Sequence, residues 1–416
     1  MSSLKIQDLL CSTRNIWLLR LLLLFIFVFC CILLLLGNAD LSASNERADK
    51  LSRLSYREKE PSKEMEQLLR QIGKDLQHTK QFISGQLQHL TREMDITDQM
   101  NTFLEDLNHY FRVNRHDLNL LRDSDGRGEW RRREAEDLSE LIQHRLRVLQ
   151  NPKDCDSAKK LYCAFTGANR GIGSQFHHLT ICFMAAYATQ RTLILNTDDW
   201  YNTSGGLNTF FLPLSNSCTQ ADLSQMVSWP GTDESLVVEV PKHDSLVPRP
   251  SYLPKSIPRD ISERLVRLHG DPYAWWVGQF FKYAMRMNSG FEEYMRDLAS
   301  ELGYESPIVG IQVRRTDKMT NGLTFIPVKN FMDAVAEYYD DLEMRQEVKT
   351  RRVFVATDDP SVIKEAKERY PAYQFVYNKA SVISADLSNR RTEENLRYYF
   401  LWMSIFSRGR TIWFAR

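Results

Sequence analysis

Three regimes of hydrophobic patterning succeed one another along the chain. Leu21 to Leu36 carries no polar side chain, and Ile16 to Leu19 extend the run past Arg20. At about 1.5 Å per residue this stretch, 16–36, matches a thin bilayer core. After a polar segment ending at Pro61, Leu69, Leu76, Ile83 and Leu90 recur every seven residues, with Met65 and Ile72 at the companion positions. The repeat predicts either a coiled coil, weakened by Gly73, Thr79, Gly85 and Gln86, or an amphipathic helix lying on its own head. A further helix ends near Leu149, and Arg131-Arg132-Arg133 within it, beside Glu134, Glu136 and Asp137, reads as a solvated face. Beyond Asn151-Pro152 the period alternates between strand and helix. Strands are expected at Thr192–Leu195, Leu236–Val240, Ile308–Val313 and Val353–Ala356, and helices at His177–Thr189, Trp275–Met287, Val328–Tyr339 and Ser361–Tyr370. That alternation predicts an α/β class with parallel strands in the last third.

Charge orients the first segment. Lys5, Arg14 and Arg20 precede the end of the apolar run, and Asp40 and Glu46 follow it. The positive-inside rule places residues 1–15 in the cytoplasm and everything after Gly37 in a lumen. A cleaved signal has an apolar region of roughly 7–15 residues and a small-residue cleavage site; this run is longer and lacks such a site, so a type II membrane anchor is expected. The domain plan is then a tail 1–15, an anchor 16–36, a helical stem 37–150, an open-sheet subdomain 151–306 and a Rossmann-like subdomain 307–416. The 416 residues carry a net charge of +1, which gives no reason to expect nucleic acid as a partner. Of seven cysteines, Cys155, Cys163, Cys182 and Cys218 fall on the lumenal side. Without a C-x-x-C or a His-rich spacing, two disulfides are expected rather than a metal site. Asn202-Thr203-Ser204 is a glycosylation sequon.

The candidate chemistry begins at Val313-Arg314-Arg315-Thr316-Asp317-Lys318, at the C-terminal end of an apolar strand. In open α/β sheets ligands bind beyond that end, and a guanidinium fork suits phosphate oxygens. The arginines therefore suggest a clamp for the diphosphate of a nucleotide-sugar; the alternative is a surface ion pair beside Asp317. Gly171 and Gly173, in Asn169-Arg170-Gly171-Ile172-Gly173-Ser174, could bring backbone N–H groups to a phosphate or sugar ahead of a helix starting near Gln175, or could simply make a turn. Asp358 and Asp359, in Thr357-Asp358-Asp359-Pro360, could hold ribose or base N–H groups, or Asp359 could N-cap the helix that follows. Trp275-Trp276 could stack on a sugar or belong to the core.

Read together, these stretches resemble the alpha-1,6-fucosyltransferases, the core fucosyltransferases of glycosyltransferase family 23. The resemblance runs from about Asn151 to Arg397. It is carried by Tyr187–Leu195 (YATQRTLIL), Asp244–Pro250 (DSLVPRP), Arg267–Pro272 (RLHGDP) with Trp275-Trp276, Arg314–Lys318 (RRTDK) and Ala356–Pro360 (ATDDP). It implies transfer of fucose from GDP-fucose to O6 of the innermost N-acetylglucosamine of an N-glycan, with inversion, in the Golgi, without a metal or other cofactor. By the same resemblance Arg314 and Arg315 hold the donor pyrophosphate, and Asp358 and Asp359 belong to the donor site. Asp244 is the acidic residue near the acceptor and the catalytic candidate. Cys155 pairs with Cys218, and Cys163 pairs with Cys182. Separately, the helical stem is expected to pair two copies of the chain.

The chain also departs from that family. An inverting transfer needs a base for the attacking hydroxyl. The family's glutamate, four residues after the lysine of the arginine motif, is replaced by Gly322, preceded by Asn321. The glycine loop reads Gly167-Ala168-Asn169-Arg170 where the family has a lysine. Gln312 stands for a histidine, and Arg170 and Ser174 stand for a cysteine pair. Residues Tyr398 to Arg416 do not resemble the family's continuation. Shifted back one nucleotide, with permitted codons, residues 401–415 overlie LDVYFLAGTDYLVCT, which looks like the family's next segment. The expectation is an out-of-frame tail from alternative splicing, a gene-model error or a mutation. It would leave one sheet edge open and its own aromatic residues with few places to bury. Two functions compete: a fucosyltransferase, and a non-catalytic, membrane-anchored relative that dimerises or binds donor. A fucosyltransferase with another acceptor is a third.

Overall fold

A computed structural model of the chain describes residues 60–94, 97–165, 171–198, 200–203, 205–242, 245–253, 255–315, 326–384, 396–397, 400 and 413–414. The expected anchor, 16–36, lies outside these residues; among the described ones no helix is long and apolar enough to cross a membrane. The chain divides into two units, Met1–Ser62 with Asp123–Trp130, and Lys63–Arg122 with Arg131–Arg416.

The second unit is built on two four-stranded sheets, each paired in parallel throughout. The first contains β1 (Lys160–Ala164), β2 (Thr192–Asn196), β3 (Met226–Ser228) and β4 (Val237–Val240), in the order β2-β1-β4-β3. The second contains β5 (Ile308–Val313), β6 (Arg351–Thr357), β7 (Tyr373–Val376) and β8 (Trp413–Phe414), in the order β7-β6-β5-β8. Ile308, Val309, Ile311 and Val313 are all buried. A strand covered on both faces needs such a continuous apolar run, which is why β5 was legible in the sequence to the residue.

Among the described residues the helices are α1 (Lys63–Met94), α2 (Thr97–Ser124), α3 (Gly128–Gln150), α4 (Ile172–Ala188), α5 (Arg259–Leu268), α6 (Pro272–Ala284), α7 (Ser289–Glu301), α8 (Val328–Glu343), α9 (Pro360–Arg369) and α10 (Lys379–Ser384). Several begin earlier than their apolar period suggests, because the capping residue sets the start. Asp271 caps α6 by accepting from the Ala274 N–H at 3.1 Å, with Pro272 in its first turn. In α4 nearly every side chain from Ile172 to Ala186 is buried, so it has no polar face to mark its ends.

Of the two readings of the heptads, the structure shows α1 lying on its own head. Arg70 donates to the carbonyls of Val266 (2.6 Å) and Arg267 (2.8 Å) at the end of α5. Lys80 on α1 and Arg115 on α2 both reach Glu337 on α8, at 2.6 and 3.2 Å, and Arg115 also pairs with Asp341. Burial pushes the Glu337 carboxyl up, but the hydrogen bond and charge of Lys80, with Arg115, outweigh it and hold the group below its ordinary range. Its stabilising contribution is therefore complete above the unfolded value and is lost as pH falls through the folded one. Burial raises Asp341 instead, against the pull of Arg115, so its charged form costs stability that acidification returns. Lys80→Ala is expected to lower stability by about 1 kcal/mol and to speed limited proteolysis within α1 and α2 at neutral pH; unchanged cleavage would mean that this contact does not hold the helices.

The tail corrects two expectations. β8 pairs with β5 on the side away from β6, Gly310 opposite Trp413 and Ile311 opposite Phe414, so the edge expected to be open is partly covered. Unpaired strand edges take up β-prone backbone, and Trp-Phe is such a sequence. Phe400, one of the aromatic residues expected to lack a place, is 1% exposed. Its ring meets those of Phe211 at 4.8 Å and Phe210 at 5.1 Å.

Candidate functional site

The parallel register sets Val313 opposite Thr357, so β5 and β6 end side by side and deliver Arg314-Arg315 and Asp358-Asp359 to one place. The two arginines part there. Arg314 is exposed. Arg315 turns toward the start of α9, where its guanidinium lies 3.1 Å from Glu365, 3.5 Å from the Ser361 hydroxyl and 3.7 Å from Asp359. Its backbone N–H donates to Asp358 at 2.8 Å.

The aspartates are structural at this point. Asp359 caps α9, accepting from the Ser361 N–H at 2.8 Å, with Pro360 in the first turn; its own N–H donates to the Thr357 hydroxyl at 3.1 Å. Of the alternatives open for Asp359 in the sequence, the N-cap is what the structure contains. Glu365 was not anticipated. The signal for it was present: Ser361 and Glu365 stand four apart on one helix face, directly after the Asp359 cap. Together these groups hold Arg315, and the exposed Arg314 beside it carries a guanidinium fork at the C-terminal end of a parallel strand. Such a fork can bind a planar or tetrahedral oxyanion.

Other sequence candidates fall elsewhere. Gly171 caps α4, which starts at Ile172 rather than near Gln175, so Gly173 lies in its first turn. Both follow β1 in the first sheet, and no hydrogen bond between described residues links them to the arginine pair. Trp276 is core, buried with its ring edge-on to Phe280 (4.7 Å) and Tyr187 (5.1 Å), while Trp275 is half-buried and stacks on His269 at 5.8 Å. Asp244, Thr316 to Lys318 and Gly322 lie outside the described residues. Asn202 ends a short turn, Trp200–Asn202, next to buried Tyr201 and Thr203. Cys155 is bonded to Cys218, and Cys163 to Cys182.

Much of what carries the family resemblance is architectural. Arg191 donates to the carbonyls of Ser235 (2.6 Å) and Thr232 (2.9 Å), Arg145 donates to the Tyr187 hydroxyl at 3.2 Å, and the Arg267 carbonyl receives Arg70.

Comparison with known proteins agrees with that reading. A family model described as alpha-(1,6)-fucosyltransferase N- and catalytic domains matches residues 37–409. The chain is 40% identical over 355 residues to an alpha-(1,6)-fucosyltransferase of Drosophila melanogaster, covering 84% of this chain and 57% of that protein. It is 35% identical over 278 residues to an alpha-(1,6)-fucosyltransferase of Caenorhabditis elegans, covering 65% of this chain and 50% of that one. The chain thus spans about half the length of the curated relatives it matches. Among solved structures it is similar to NodZ alpha-1,6-fucosyltransferase co-crystallized with GDP, at 13% identity and a TM-score of 0.37, over 62% of this chain and 88% of that one. That overlap is too weak to carry an argument.

Proposed function

The chain belongs to the alpha-(1,6)-fucosyltransferase family, and we propose that the end of β5, beside the turn between β6 and α9, binds the diphosphate of GDP-fucose for transfer to the innermost N-acetylglucosamine of an N-glycan. The observation that carries the reading is the divided arginine pair. Arg315 is held by Glu365 and Asp359, and Arg314, the residue before it at the end of β5, is exposed. In this account Arg314 takes the phosphate oxygens directly. Asp358, Asp359 and Glu365 hold the loop that presents it, and Arg315 supplies positive charge from beneath. Asp244 serves the acceptor side, and Gly171 and Gly173 shape the glycine turn after β1.

The same reading places residues 16–36 in the Golgi membrane with the head in the lumen, where glycan occupancy at Asn202 would report the topology. It makes the stem a dimer contact. Leu68, Phe82, Phe103, Tyr110 and Leu121 are exposed on α1 and α2, an apolar surface that a second copy would cover.

Gly322 favours a second reading, in which donor is bound and transfer is absent or very slow. A general base contributes roughly 10²–10⁴-fold, and glycine offers none. Incubating the full chain with GDP-fucose and a bi-antennary glycopeptide, read by mass spectrometry, tests both. Gly322→Glu is expected to raise the rate of fucose addition about 10²–10⁴-fold over the unaltered chain. Equal, rapid transfer by the two would place the base elsewhere, and no transfer by either would reduce the function to donor binding.

A further inference from the structure

One buried cluster takes no part in the proposed reaction. His178 and Cys182 stand four residues apart on α4 and so share a helix face, which packs on Cys163 of β1. All three are buried, and among the described residues this is the one group of three or more His, Cys, Asp or Glu side chains with its ligand atoms close enough to share an ion. In the oxidised chain the two sulfurs are bonded to each other. The His178 Nε2 atom faces both, 3.5 Å from Cys163 Sγ and 3.7 Å from Cys182 Sγ.

Those spacings match a zinc site. With Zn–S near 2.3 Å and Zn–N near 2.0–2.1 Å in tetrahedral geometry, an imidazole nitrogen sits roughly 3.5–3.6 Å from each thiolate sulfur. Both nitrogen–sulfur distances are therefore close to those of a ligated ion. Only the sulfurs have to part, to about 3.8 Å on a shared zinc. We propose that the thiol form of this chain binds one Zn²⁺ through Cys163, Cys182 and His178, with water completing the tetrahedron. Ion and disulfide are then alternative ties between β1 and α4 at the same point.

The chemistry balances in either direction. A dithiol reductant passes two hydrogens to the Cys163 and Cys182 sulfurs and becomes a disulfide itself. Zn²⁺ then displaces the two thiol protons to solvent and accepts the Nε2 lone pair of neutral His178. In the newly made chain, before the disulfide closes, the thiols are already present. Because the ligands are buried, the ion enters as the chain folds. Cys155 and Cys218 have no third ligand of this kind among the described residues and serve as an internal control.

The test uses the full chain in detergent. It is reduced with a dithiol in denaturant and refolded with or without Zn²⁺. Bound zinc is measured after gel filtration, and fold is read by resistance to trypsin. The expected result is about one zinc per reduced chain, none in the oxidised chain, and trypsin resistance restored to the reduced chain by zinc. Cys163→Ser and His178→Ala are expected to abolish retention, and the double variant Cys155→Ser, Cys218→Ser to keep it. Oxidised His178→Ala, assayed alongside, shows whether that substitution leaves the fold intact. Co²⁺ in place of zinc should give thiolate charge-transfer absorption in the unaltered reduced chain. Absence of zinc or of that absorption in the reduced chain, or retention unaffected by Cys163→Ser, would overturn the proposal.

Discussion

Phe400→Ala is expected to destabilise the chain by about 3–5 kcal/mol, the cost of emptying a large buried aromatic site. The residue comes from the stretch after Arg397 that was not expected to resemble the family, although the family model matches as far as residue 409, and it fills the centre of an aromatic cluster. Its ring lies within 6.4 Å of those of Phe176 on α4, Trp200, Phe210, Phe211 and Phe291 on α7. These partners come from four separate segments, so one side chain ties them together, and the loss is expected to appear as a lower urea midpoint with little change in slope. Phe400→Leu keeps part of the volume and should cost markedly less. A change below about 1 kcal/mol for the alanine variant, within the range of an ordinary surface substitution, would mean that the tail does not pack there.

Arg314→Ala is expected to weaken GDP binding by about 10- to 150-fold, the equivalent of the roughly 1.5–3 kcal/mol carried by hydrogen bonds to a charged group. Arg314→Lys should recover part of that loss, because it restores the charge without the planar fork. Arg315→Ala should behave differently. It removes the partner of Glu365 and Asp359 and leaves two carboxylates facing the phosphate, so affinity falls through repulsion and through a loosened loop. Glu365→Gln separates these effects. If Arg315 is held by Glu365, the loop loosens and GDP affinity drops modestly while the positive charge is kept.

How much of this was legible in the sequence differs by element. β5 and the start of α8 were readable because burial on two faces, or on one stripe, leaves a strong period. β1, β3 and β7 were not anticipated: three to five residues carry too little period, and their neighbours in the sheet stabilise them. The site was legible as a motif and illegible as a division of labour. Arg314 and Arg315 look equivalent in the chain; only the parallel register, which sets β6 and α9 beside β5, shows that Arg315 meets Glu365 and Asp359. The disulfide pairs entered through family resemblance. His178 was passed over because its spacing to Cys182 signals a metal only once the fold brings Cys163 alongside.

Whether the end of β5 is a nucleoside-diphosphate site is decided by calorimetric titration of the full chain with GDP, run in parallel on Arg314→Ala. Saturable binding is expected, weakened at least about tenfold by the substitution. No heat at millimolar GDP from folded protein, or the same affinity in both proteins, would contradict it.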